Sequence, residues 1–111
     1  METATAIETV SDETARLYAE YLTHNRNRPL ATLRLFLGSK IILKTGKGIK
    51  FDLHGAKGRL DFCELAYNAG QDLFELIFYR RGEIVETLAM LYVDQLKEVF
   101  ERHTGLYLSF T

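Results

Sequence analysis

Nine basic side chains stand between His24 and Arg59: Arg26, Arg28, Arg34, Lys40, Lys44, Lys47, Lys50, Lys57 and Arg59. Asp52 is the one acid in that stretch. Cations at this density can neutralise phosphates, and they gain free energy by releasing the counterions condensed on a nucleic acid. Arg26, Arg28, Lys40, Lys44, Lys47, Lys50, Lys57 and Arg59 are therefore the candidate nucleic-acid-binding residues. The flanks are acidic, with five acids to one base in residues 1–23 and nine acids to four bases in residues 60–111. The net charge of −1 hides this asymmetry. A competing reading is that the basic middle neutralises the acidic ends, within one chain or between copies.

Other residues with chemical potential point to structure instead. Cys63 is the one cysteine and falls among apolar neighbours, where a thiol is a packing group; it can form neither an internal disulfide nor a cysteine metal cage. His24, His54 and His103 lack metal-ligand spacing. Gly46-Lys47-Gly48 lacks the flanking glycine and Ser/Thr of a phosphate-binding loop and reads as a hairpin turn with a lysine at its tip. Glu64, Glu75 and Glu86 fall on one face of the expected strands, with Glu64 opposite Glu75. Like charges so placed are unfavourable, and three explanations compete: a shifted register, answering bases, or a divalent cation. No nucleophile or acid–base motif emerges, so a non-enzymatic protein without cofactor or metal is expected.

The elements that carry these residues follow from periodicity. Ser11 is a good N-cap, and Ala15, Tyr18, Ala19 and Leu22 form one stripe, predicting a helix from Asp12 to about His24. Pro29–Leu37 reads as a short helix with Pro at its start and Gly38 at its stop, or as a strand alternating Leu33, Leu35 and Leu37. The strand places leucines on a lysine face, which favours the helix. Lys40–Thr45 and Ile49–Leu53 form a hairpin, with Lys40, Lys44 and Lys50 projecting together from the face opposite Ile41, Leu43, Ile49 and Phe51. A three-stranded meander follows over about 59–68, 72–80 and 83–91. Its expected register pairs Leu65 with Phe74, Cys63 with Leu76, Tyr79 with Ile84 and Phe78 with Val85. Val93–His103 is an amphipathic helix ended by Gly105, and the alternating Leu106, Leu108 and Phe110 predict a docked tail.

At 111 residues and 47% hydrophobic composition, the chain makes one domain over 11–111 behind a flexible tail at 1–10. The fold class is α+β: about five antiparallel strands, an N-terminal helix and a C-terminal amphipathic helix. Met1–Thr9 shows no secretory signal and no apolar run is long enough for a bilayer, so a cytoplasmic, membrane-free protein is expected. In the order of its elements over residues 40–104, strands closed by a C-terminal helix, the chain resembles the single-stranded DNA-binding Whirly proteins and the positive-cofactor-four coactivators. That resemblance brings no site residue with it.

The expected function is nucleic-acid binding, of single-stranded DNA or RNA, through the basic central segment. The alternative is a small protein-interaction module, an inhibitor or adaptor, using an apolar sheet face with Tyr79 and Tyr107 as anchors. Both meander faces look apolar, and three helices at most cannot cover five strands twice. A homodimer is therefore expected.

Overall fold

A computed structural model describes residues 8–109. Ser11 is extended, and its Oγ accepts the Thr14 amide at 3.0 Å, which starts α1 (Asp12–Thr23). Ala15, Ala19 and Leu22 are the buried stripe of this helix. His24 ends it in the left-handed region, donating its amide to the Glu20 carbonyl. Asn25 then shapes the connection: its Oδ1 accepts the amides of Asn27 and Arg28, and its Nδ2 donates to Thr32 Oγ1. The ambiguous segment is a helix, α2 (Pro29–Leu37), with Pro29 in its first turn, Leu33 and Leu37 buried, and Gly38 left-handed at its end.

Five antiparallel strands follow in sequential order: β1 (Ile42–Lys44), β2 (Gly48–Asp52), β3 (Phe62–Asn68), β4 (Leu73–Arg80) and β5 (Glu83–Leu91). A 3-10 turn at Val93–Gln95 leads into α3 (Leu96–Thr104), which Gly105 closes in the left-handed region. α1 and α3 lie on one face of the sheet, and α2 packs beside α1. Between helices and sheet lies one core, which includes Leu22, Leu33, Ile49, Phe51, Cys63, Leu65, Leu76, Phe78, Leu96 and Phe100. The α+β architecture is thus as the sequence implies. The tail docks without forming a strand: Leu108 is buried and its amide donates to Glu101 Oε2 at 2.7 Å, while Phe110 lies outside the described residues. Most of the expected N-terminal tail, residues 1–7, also lies outside them. Val10 donates its amide to the Thr45 carbonyl.

The registers correct the sequence reading in three places. β3 and β4 pair Leu65 with Leu76 and Cys63 with Phe78, two residues from expectation. A two-residue slip preserves side-chain faces, so the core assignment survives, but Glu64 now faces Ile77, not Glu75. β5 pairs Ile84 with Tyr79 as expected, then carries bulges between the Phe78 and Tyr79 partners and between the Phe74 and Leu76 partners. The first bulge sets Glu86 opposite Phe78 and turns Leu88 to the core side. In the first hairpin, Ile42 pairs with Phe51 and Lys44 with Ile49. Lys44 therefore shares the helix side and reaches Asp12, whereas Leu43 and Lys50 share the other face. The three lysines do not project together.

Asp52 latches the chain entering β1. Its Oδ1 accepts the amides of Lys40 (2.8 Å) and Ile41 (2.9 Å), and its Oδ2 lies 2.8 Å from His54 Nε2. Ser39 Oγ donates to the Asp52 carbonyl, not to the imidazole, so Ser39, His54 and Asp52 are no nucleophile relay. Burial pushes the Asp52 carboxyl up, but the Ile41 amide, His54 and the Lys40 amide together hold it below the usual 3.8. The latch's charge-dependent stability is therefore present above about pH 4 and lost as pH falls through the lowered folded value. Asp52→Ala should cost about 2–3 kcal/mol at neutral pH, the worth of charge-assisted hydrogen bonds left unmade. Urea titrations check it: the gap between wild type and variant must shrink at pH 3. An unchanged gap would assign the loss to packing.

The β4–β5 turn holds Arg81 (φ 55) and Gly82 (φ 82), both left-handed, as a two-residue hairpin requires. Asparagine tolerates the first position better than arginine does. Arg81→Asn should raise stability by about 0.5–1 kcal/mol. A lowered melting midpoint would mean that the guanidinium contributes more than the backbone strain costs.

Candidate functional site

Among the described residues, the face opposite α1 and α3 carries no helix. By register it presents Leu43, Lys50, Phe62, Glu64, Ile77, Tyr79, Ile84 and Thr87. Phe62 and Tyr79 are cross-strand partners at the end of the β3–β4 ladder, and Lys50 faces Glu64 on the neighbouring strand. The Lys50 ammonium lies 3.8 Å from the Tyr79 ring centre and 5.3 Å from that of Phe62, within cation–π range of both. The Tyr79 hydroxyl donates to Glu64 Oε1 at 3.0 Å. Burial, then the hydrogen bond to Glu64 and that residue's charge, push the Tyr79 phenol up to about 12. It stays protonated and a donor at any physiological pH. The arrangement is a half-buried pair of rings with a cation laid across them, rigidly backed by a carboxylate.

The eight basic candidates do not converge. Arg26 and Arg28 lie in the α1–α2 connection, lining a groove of about 730 Å³ whose apolar wall includes Leu35, Phe36 and Leu108. Arg26 also pairs with Glu20 at 3.6 Å. Lys40 is exposed ahead of β1, and Lys47 occupies the β1–β2 turn. Lys44 is committed to Asp12 at 2.7 Å, an exposed pair in which Lys44 pulls the carboxyl below its usual value. Lys57 lays its stem against Gly105 and reaches the Arg102 carbonyl at 3.5 Å. Of the eight, Lys50 reaches the ring pair, and Arg59 stands at the adjoining end of the sheet with Arg80 and Arg81.

Sequence reasoning missed that company. Arg80 and Arg81 sit in a segment that is acidic overall, so a charge count by segment conceals them. Phe62 and Tyr79 were visible as apolar strand residues, and a correct register would have paired them.

The acidic constellation dissolves. Glu64 is bound by Tyr79, and Glu86 turns to the helix side, where its Oε1 lies 3.2 Å from His103 Nε2. Among the described residues no three of His, Cys, Asp and Glu gather to hold a metal ion. Cys63 is fully enclosed; burial, then the Glu64 charge, push its thiol well above the usual value, which leaves no nucleophile. No helix of the described residues is long and apolar enough to cross a membrane. No protein-family model, no curated protein and no solved structure matches this chain.

Proposed function

We propose that the protein is a non-enzymatic binder of single-stranded nucleic acid, and that it binds the strand on the helix-free face of its sheet. The observation that carries the proposal is the placement of Lys50 between Phe62 and Tyr79. Open sheets that display aromatic rings bind unpaired bases by stacking, which every base permits, while cations meet the backbone. A base arriving on the ring pair displaces the Lys50 ammonium towards the adjoining phosphate, so a weak intramolecular contact is exchanged for a charge-assisted one. A duplex keeps its base faces hidden and gains nothing from the rings. Exposed Arg59 at the end of the sheet extends the positive path.

Fluorescence anisotropy with a labelled single strand and the matching duplex tests the reading. The single strand should bind more tightly, affinity should fall as salt rises, and Lys50→Glu should weaken binding about equally across sequences. Absence of single-strand binding at low salt would overturn it.

A second reading rests on the same face. Leu43 and Ile84 flank the ring pair and are 51% and 58% exposed, which suits a protein partner, most simply a second copy in a two-fold dimer. Light scattering would then give twice the 12.8 kDa chain mass, and the protein would flow through heparin that the first reading has it retain.

A further inference from the structure

Two turns meet at the end of the sheet where Phe62 and Tyr79 pair, and they pinch a cleft of about 410 Å³ lined by Arg59, Asp61, Arg80 and Arg81. One is the turn from Lys57 to Leu60, with Gly58 (φ 68) and Arg59 (φ 58) both left-handed. The other is the β4–β5 turn with Arg81 and Gly82. Each turn therefore gives an arginine a conformation that glycine or asparagine adopts at lower cost. The turns are tied together: Arg80 Nη1 donates to the Gly58 carbonyl at 2.8 Å, and the Arg81 amide donates to Asp61 Oδ2 at 2.9 Å. The two turns, and with them the cleft between, are thus held by hydrogen bonds.

Two of its charges are uncommitted. Among the described residues the guanidiniums of Arg59 and Arg81 make no ion pair and no hydrogen bond. Asp61 Oδ1 is buried and has no hydrogen-bond partner. With three arginines and one aspartate, the cleft is strongly positive.

We propose that this cleft holds the terminal phosphomonoester of the strand bound on the adjoining sheet face; the proposal rests on that reading. A monoester brings up to two negative charges where an internal diester brings one, so a strongly positive cleft gains more from a chain end than from a mid-strand phosphate. The path also ends here. The Asp61 amide donates to the Tyr79 carbonyl at 3.0 Å, so the cleft begins one residue beyond the last ring pair, and past it, among the described residues, lie the two turns. A strand stacked on Phe62 and Tyr79 with its end towards the turns delivers that end to Arg59 and Arg81.

The test compares one oligonucleotide bearing a 5′ phosphate, a 3′ phosphate or neither, by anisotropy, on wild type, Arg59→Asn and Arg81→Asn. A phosphate on one end should raise affinity roughly tenfold, and which end does so fixes the strand's polarity. Arg81→Asn keeps the turn chemistry, so it should melt no lower than wild type while losing that tenfold gain and retaining its affinity for the unphosphorylated strand. A nucleoside monophosphate should raise the melting midpoint of wild type and not of Arg81→Asn, which supports the cleft even where no strand binds. Equal binding of the three oligonucleotides overturns the cleft and leaves the sheet-face reading standing. An Arg81→Asn protein that still favours the phosphorylated strand also overturns it.

Discussion

Gly48→Ala is expected to abolish cooperative folding. A Cβ on Gly48 would stand 1.9 Å from the Leu65 carbonyl oxygen and 3.0 Å from its carbonyl carbon. Both are backbone atoms of β3, locked by the pairs Gly48–Ala66 and Ile49–Leu65, so neither can rotate away. The Tyr18 ring of α1, at 3.2 Å, closes the remaining side. Relief demands that β2 and β3 part at this end, which would open the core at Ile49 and Leu65. We expect a loss above about 4 kcal/mol, a large part of what a domain of this size possesses. Near-ultraviolet circular dichroism and urea titration read the result. Gly70→Ala, whose Cβ would meet only Asn68 Oδ1 at 3.4 Å, serves as the mild control. A Gly48→Ala protein that melts like wild type would show that the two strands lie further apart than described.

Removing both rings of the open face should lower single-strand affinity by roughly a hundredfold or more. Base–aromatic stacking is worth about 1–3 kcal/mol per base, so Phe62→Ala and Tyr79→Ala should each cost about tenfold or more. The two are direct partners across β3 and β4, so their losses should be coupled. Tyr79→Phe separates stacking from hydrogen bonding: it keeps the ring but frees Glu64 from its donor. Its binding should stay near that of wild type, with the stability loss of one unmade hydrogen bond. If the double alanine variant folds and binds as wild type does, the strand does not use this face.

Much of the fold was legible because local signals agreed. Ser11, Pro29, Gly38 and Gly105 mark helix ends by chemistry that needs no tertiary context, and all four stand where that chemistry requires. Registers were less legible. The β3–β4 slip kept the parity of Leu65 and Leu76, so the core could be named correctly from a wrong pairing. In β5 the bulges flip parity, and alternation alone could not announce them. The site was the least legible part. Nearness in sequence grouped Lys44, Lys47 and Lys50, yet pairing sends Lys44 to Asp12 and Lys50 to Tyr79. Arg59 meets Arg80 and Arg81 only because two distant turns share one end of the sheet.

The bulges of β5 bear on edge-to-edge association. At one margin of the sheet β1 is only three residues long; at the other, β5 runs for nine, with Ile84, Val85 and Met90 exposed. A straight strand of that composition would template fibrous growth through its unpaired amides and carbonyls. Two interruptions, with Met90 left-handed at φ 61, leave no long flat stretch for a second chain to zip along. A short strand at one margin and a twice-bulged strand at the other both disfavour lateral strand addition, which leaves the open face of the sheet as its freer side.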